Sequence, residues 1–137
     1  MHSDLSSNEA LIYVMVTMSA VDREMSDKEL SRIGSLVQTL PAFQDFDPEH
    51  LLPVAQKCGE RLNDDNGLDQ VLTAITEALP ERLYETAYAV AVEVAAVDLS
   101  VAQEELRFLQ MLRDRLGLDK LVCAAIERGA RARYRTL

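Results

Sequence analysis

The chain has 137 residues, which is the length of a single domain able to bury an ordinary hydrophobic core. Its formal net charge of −9 argues against general binding to nucleic acid, because an acidic surface repels phosphate backbones. Trp is absent and aromatic residues are few, so the apolar residues are mainly Leu, Ala, Val and Met. Unbranched side chains lose little rotamer freedom in a helix, and the composition therefore favours helices over strands.

The sequence shows no targeting or disulfide pattern. The first residues contain no basic region followed by an apolar one, and no apolar run approaches the ~20 residues of a membrane-spanning helix. Cys58 and Cys123 lie far apart without a CxxC motif, so we expect two buried apolar residues and neither a disulfide nor a zinc ribbon. These features predict a cytoplasmic protein.

Capping boxes predict the starts of the first two helices. Ser6 with Glu9, and Ser26 with Glu29, have the spacing in which each side chain bonds the other residue's backbone N–H. Glu9 is the only charged residue of the first predicted helix, which should therefore be largely buried. Pro41 ends the second helix.

Five further helices follow. Their predicted starts are Asp47, about Leu68, Pro80, about Ala102, and either Leu118 or Asp119. Pro53 should either delay the third helix or kink it, and Gly117 should end the sixth. The inward stripe of the seventh helix is predicted to be Leu121, Val122, Ala125 and Ile126. We predict an all-α fold, a compact bundle of about seven helices.

One pattern occurs twice at an offset of 76 residues. Each copy is an apolar segment, an Asp in a short polar break, and a Glu seven residues later at the head of another apolar segment. The offset relates Asp22 to Asp98, Glu29 to Glu105 and Leu30 to Leu106. The repeat predicts a single domain over residues 1–137, with equivalent helical hairpins around 6–40 and 80–116.

The repeated carboxylates have a structural interpretation. Glu29 closes a capping box with Ser26, and negative charge is favoured at a helix N-terminus. In the second copy, however, Ala102 stands where Ser26 would be, while Asp98 and Glu105 keep their places. Capping alone explains the first copy better than the second.

The alternative interpretation is a shared acidic face. If the hairpins pack about a pseudo-two-fold axis, the four carboxylates would repel one another unless a cation or a basic partner screened them. The predicted metal ligands are Asp22, Glu29, Asp98 and Glu105, for Ca²⁺, Mg²⁺, Mn²⁺ or Zn²⁺. Glu24, Asp27, Glu93 and Glu104 would widen the face.

Better-defined catalytic and metal sites are missing from the sequence. The stretch from Asp22 has Asp27 where an EF-hand loop needs Gly. His2 and His50 have neither zinc-ligand nor di-iron spacing. Phosphate-binding loops and nucleophile motifs do not occur. We therefore predict that the protein is not an enzyme.

Basic residues gather near the C-terminus, at Arg128, Arg131, Arg133 and Arg135. We interpret them as charge placed favourably at a helix C-terminus. A basic docking patch is the alternative.

The repeated pattern resembles the TerB family of tellurite-resistance proteins, and the TerB-like domains beside J-domains in some bacterial co-chaperones. The family pattern is an apolar helix ending in Ala-x-Asp-Gly, followed by a Glu that opens the next helix. Ala20 to Asp22 with Glu29, and Ala96 to Asp98 with Glu105, match it. Arg23 and Leu99 replace the family's Gly.

The resemblance spans nearly the whole chain. It implies an all-helical domain with internal pseudo-symmetry, a cytoplasmic bacterial setting, and a link to stress from tellurite or other metal oxyanions. It further implies metal contact by the acidic residues and association with Ter-type proteins near the inner membrane. A metal-independent interaction scaffold or co-chaperone module is the alternative function, and a homodimer is compatible with the sequence.

Overall fold

A computed structural model of the protein describes residues 5–21, 26–96 and 103–137. Within these ranges it contains seven α-helices, three short 3-10 helices and no strand. The α-helices are α1 (Ser7–Ala20), α2 (Asp27–Thr39), α3 (Leu51–Leu62), α4 (Gly67–Ala78), α5 (Tyr84–Ala95), α6 (Gln103–Leu116) and α7 (Lys120–Arg133). The 3-10 helices are Pro41–Phe43, Pro48–His50 and Glu81–Leu83. The predicted all-α fold is confirmed.

Both predicted capping boxes are formed. The Glu9 N–H donates to Ser6 Oγ at 3.2 Å, and the Ser6 N–H donates to Glu9 Oε1 at 2.9 Å. The Glu29 N–H donates to Ser26 Oγ at 3.1 Å, and the Ser26 N–H donates to Glu29 Oε1 at 2.9 Å. Two of the four N–H groups that a helix start leaves without a helical partner are satisfied in each case.

Prolines delay two helix starts. Asp47 accepts the Glu49 N–H at 3.0 Å and so caps the 3-10 turn that begins at Pro48, while α3 itself begins only at Leu51. Pro53 is thereby the third residue of α3, where its missing N–H costs no helical hydrogen bond. The fifth helix likewise begins after a 3-10 turn, and the predicted start at Pro80 was too early.

Gly117 ends α6 as predicted. Its φ of +64° lies in the left-handed region that favours glycine. The Gly117 N–H donates to the Asp114 carbonyl at 3.2 Å, and the Leu118 N–H donates to the Arg113 carbonyl at 3.1 Å. These bonds form a Schellman motif, which closes α6 and turns the chain directly into α7.

Helix α1 lies at the centre of the bundle. Every residue from Ala10 to Ser19 is buried, so α1 has no solvent-facing side over this stretch. It packs against α2, α3, α4, α5 and α6. A helix that is apolar all round needs neighbours on all sides, and the largely buried first helix is therefore confirmed.

The two predicted hairpins pack against each other through their first helices, α1 and α5. Helix α2 contacts α5 and helix α6 contacts α1, while α3 covers α1 and α7 covers α5. Helix α4 fills the remaining space between α1, α3 and α6. None of the α-helices in the described ranges is long and apolar enough to cross a bilayer.

The predicted inward stripe of α7 was wrong in two places. Leu121 is 78% exposed and Ala125 is exposed, whereas Cys123 and Ala130 are buried. Small residues let α7 approach α5 closely beside the large ring of Tyr88. The expectation that both cysteines are buried is confirmed.

Candidate functional site

The glutamates of the two repeated stretches occupy the same place in their helices. Glu29 is the third residue of α2 and Glu105 is the third residue of α6. Both are buried, with 6% and 4% of their surface exposed. Among the buried residues that the structure describes, they are the only ones of the types Asp, Glu, Lys, Arg and His, and so they mark the two hairpin junctions as unusual.

The leucine beside each glutamate faces outward. Leu30 is 41% exposed and Leu106 is 56% exposed. The glutamates therefore take the inward positions, although each stands next to a large apolar residue. The same exchange occurs in both hairpins.

Helical periodicity explains this exchange. On α2 the buried residues are Glu29, Ile33, Leu36 and Val37, and on α6 they are Glu105, Phe108, Leu109, Leu112 and Leu116. Each glutamate thus stands one turn before the first buried apolar residue, on the same stripe. Tracing the stripe back by three or four residues would have found the inward glutamates from the sequence.

The four predicted metal ligands are only partly described. Asp22 and Asp98 lie outside the described residues, as does Glu24. Among the residues that the structure covers, no group of three or more His, Cys, Asp or Glu side chains is placed to hold a metal ion. Glu29 and Glu105 are suitable oxygen donors, but two carboxylates fall short of the six to eight oxygens that Ca²⁺ takes. The metal site stays a prediction that depends on the two aspartates.

The residues expected to widen the acidic face do not act together. Asp27 and Glu104 are exposed on the first turns of their helices. Glu93 instead faces α7, where its carboxylate pairs with Arg133 and accepts the Tyr134 hydroxyl at 2.7 Å. The Glu93 carboxylate therefore binds the C-terminal end of α7 to α5.

A cluster around Tyr134 was not predicted. The Arg32 guanidinium lies over the Tyr134 ring, 4.4 Å from its centroid, and donates to its hydroxyl. Because the same hydroxyl donates to Glu93, the cluster joins α2, α5 and the end of α7. Arg133, which the sequence suggested as a helix-dipole charge, makes an ion pair between α7 and α5.

The cysteines are poorly suited to covalent chemistry. Burial raises the pKa of the Cys58 thiol from 9.0 to about 11, and this outweighs the opposing effects of Thr17 and Arg61. Burial also raises the pKa of Cys123. The thiolate is the reactive form, so both side chains remain weak nucleophiles at neutral pH.

The fold and the site define an all-helical domain in which each of two hairpins carries a buried glutamate at the start of its second helix. The chain belongs to the TerB family: the family model described as tellurite resistance protein TerB matches residues 8–128. The resemblance drawn from the repeated motif is thereby confirmed. No curated protein and no solved structure gives a significant match.

Proposed function

We propose that the protein is a non-enzymatic, cytoplasmic stress-response protein that acts in resistance to tellurite or other metal oxyanions, and that its hairpin junctions bind a divalent cation. Membership of the TerB family supports the link to tellurite. The observation that carries the cation hypothesis is the burial of Glu29 and Glu105 at equivalent places.

Burying a carboxylate costs free energy unless hydrogen bonds or positive charge compensate it. For Glu29 the capping box supplies part of this compensation. Glu105 also has an interaction partner, and it is buried to the same extent although Ala102 replaces the serine of the first hairpin. Cation binding would favour a glutamate at both junctions for a reason independent of the cap.

In this proposal each junction contributes one carboxylate pair, Asp22 with Glu29 and Asp98 with Glu105. Oxygen ligands of this kind suit Ca²⁺, Mg²⁺ or Mn²⁺, and they also occur at Zn²⁺ sites. The cation would neutralise the carboxylates and stabilise the junctions.

Thermal denaturation with each of the four metals tests the proposal. A ligand that binds the folded state at 100 times its Kd stabilises it by about 2.7 kcal/mol, so the Tm should rise with at least one metal. The double variant Asp22→Asn with Asp98→Asn should lose that rise. A charge-matched control, Asp45→Asn with Asp64→Asn, changes two exposed aspartates elsewhere and should keep it. An unchanged Tm with all four metals would reject the cation site.

The exposed leucines favour a second candidate, a metal-independent surface for a protein partner such as another Ter-type protein. Leu30 and Leu106 are exposed large apolar residues at equivalent positions of the two hairpins. A partner that binds through them should be captured by a variant lacking all four carboxylates and lost from Leu30→Gln or Leu106→Gln. The opposite pattern would favour the acidic junctions as the docking site.

A further inference from the structure

A cavity of about 720 Å³ lies between α5, α6, α7 and the C-terminal residues. Its apolar wall includes Val92, Leu109 and Ala130, which belong to the three helices in turn. Small-molecule sites commonly have volumes of ~300–1,000 Å³ and a mostly apolar lining with few polar groups. In size the cavity is therefore suited to a small molecule, and its lining combines an apolar wall with a larger number of polar side chains than is usual.

The polar part of the cavity carries an excess of positive charge. Arg113, Arg131 and Arg135 line it, and Glu127 is the one carboxylate among the described lining residues. Glu127 already accepts a hydrogen bond from the Tyr88 hydroxyl. Burial, followed by this bond to Glu127, raises the pKa of Tyr88, so the hydroxyl keeps its proton and remains the donor.

The arginines at the cavity are available for a ligand. Arg131 and Arg135 make no ion pair or hydrogen bond with any residue that the structure describes. Arg113 approaches only its chain neighbour Asp114, whose carboxylate lies 3.7 Å from Nε and is largely exposed. Arg133, by contrast, lies on the same helix as Arg131 and is paired with Glu93. Three arginines around one cavity, two of them without an ion pair to a described residue, are unusual on a chain with a net charge of −9.

We propose that this cavity binds a small amphipathic carboxylic acid. The apolar tail would lie against Val92, Leu109 and Ala130, and the carboxylate would meet Arg113 and Arg131. A guanidinium group presents two parallel N–H donors that match a carboxylate. The ligand is a free, monomeric acid, and neither Glu29 nor Glu105 of the proposed cation site lines the cavity.

Calorimetric titration of the full chain tests the charge requirement. The probe is sodium octanoate below its micelle concentration, compared with octylammonium and 1-octanol, which carry the same tail. Octanoate should bind with a Kd at least tenfold lower than either comparison compound. Equal binding of 1-octanol would overturn the proposal, since it would show that the site recognises only the apolar tail and not the carboxylate. Absence of octanoate binding at millimolar concentration would also overturn it.

Variants test the location. Arg131→Gln alters an exposed side chain and should weaken octanoate binding at least tenfold without changing the circular dichroism spectrum. Arg128→Gln is the matched control, because Arg128 is exposed on the same helix and does not line the cavity. Equal weakening by both would indicate a general charge effect and contradict the proposed site.

A variant with a larger side chain in the cavity tests whether the apolar tail of the ligand binds there. Ala96 is half-buried at the cavity and has helical φ and ψ values, so Leu fits its backbone conformation. Ala96→Leu should lower octanoate affinity at least tenfold while leaving the Tm close to that of the natural chain. Unchanged affinity in this variant would exclude the cavity as the binding place.

Discussion

The two hairpin junctions differ in their caps and agree in the burial of their glutamates. The α2 junction has the complete box of Ser26 and Glu29, whereas the sequence of the α6 junction offers Ala102 in place of the serine. Glu29 and Glu105 are nevertheless equally hidden from solvent. The cap therefore does not decide which way the glutamate faces. Its position on the inward stripe of the helix does.

The largest effect should come from reversing the charge of these glutamates. Glu29→Lys and Glu105→Lys would each place an ammonium group at a buried site and at the positive end of a helix, which should cost about 3 kcal/mol or more. Similar losses at both junctions, measured by urea denaturation, would confirm that burial and not the cap matters.

Glu104→Lys is the control for that comparison. Glu104 is the exposed neighbour of Glu105 in the same helical turn, so its reversal should cost only the helix-dipole effect of about 0.3–1 kcal/mol. A loss as large as that of Glu105→Lys would contradict the importance of burial.

The next largest effect should distinguish α3, which covers α1 and carries Cys58, from α7, which covers α5 and carries Cys123. The pKa of Cys58 is about 11 in the folded protein and 9.0 ordinarily, so the unfolded chain loses its proton first as the pH rises. The protonated Cys58 thiol contributes its full stabilisation below pH 9. As the pH rises to 11, about 2–3 kcal/mol of that stabilisation is lost.

Urea denaturation between pH 8 and 11 measures this loss. Cys58→Ala should reduce the fall in the free energy of unfolding between pH 8 and 11. Cys123→Ala should still show the part of that fall that is due to Cys58. An identical decline in the natural chain and in Cys58→Ala would show that other groups dominate.

A smaller effect concerns the cap itself. Ser26→Ala removes the acceptor of the Glu29 N–H and should cost about 1 kcal/mol. Residue 102 directly precedes the first residue of α6, so Ala102→Ser should add a capping hydroxyl and raise stability by a comparable or smaller amount. Thermal denaturation of the two variants measures both changes. No gain from Ala102→Ser would mean that the second junction cannot form the box.

The smallest effect is expected at the exposed leucines. Leu30→Gln and Leu106→Gln should change the free energy of unfolding by no more than about 0.5 kcal/mol, because both side chains are exposed on the surface. The two should differ in octanoate binding, since Leu106 lines the cavity and Leu30 does not. A large loss of stability in either variant would contradict their outward orientation.

The sequence predicted the elements whose signals are local. The boxes at Ser6 and Ser26 and the stop at Gly117 act within one helical turn, and each formed as expected. The delayed starts after Pro48 and Pro80 were harder to place, because a proline is compatible both with a 3-10 turn and with the first turn of an α-helix.

Features that depend on tertiary packing were not predicted. Helix α7 packs on α5, where Tyr88 bonds Glu127, and it buries Cys123 and Ala130 but not the larger Leu121. The cavity and the Tyr134 cluster require helices that are distant in the chain. Of the predicted metal ligands, the structure locates Glu29 and Glu105, and the roles of Asp22 and Asp98 await the titration.

The burial of α1 on all sides has a consequence for synthesis of the chain. Helix α1 leaves the ribosome before α5, one of its main neighbours, which follows about 76 residues later in the repeat. At ~5–20 residues per second, this delay is about 4–15 s. During that time a helix that is apolar all round has no complete set of partners. The nascent chain therefore exposes apolar surface of α1 until α5 has been synthesised.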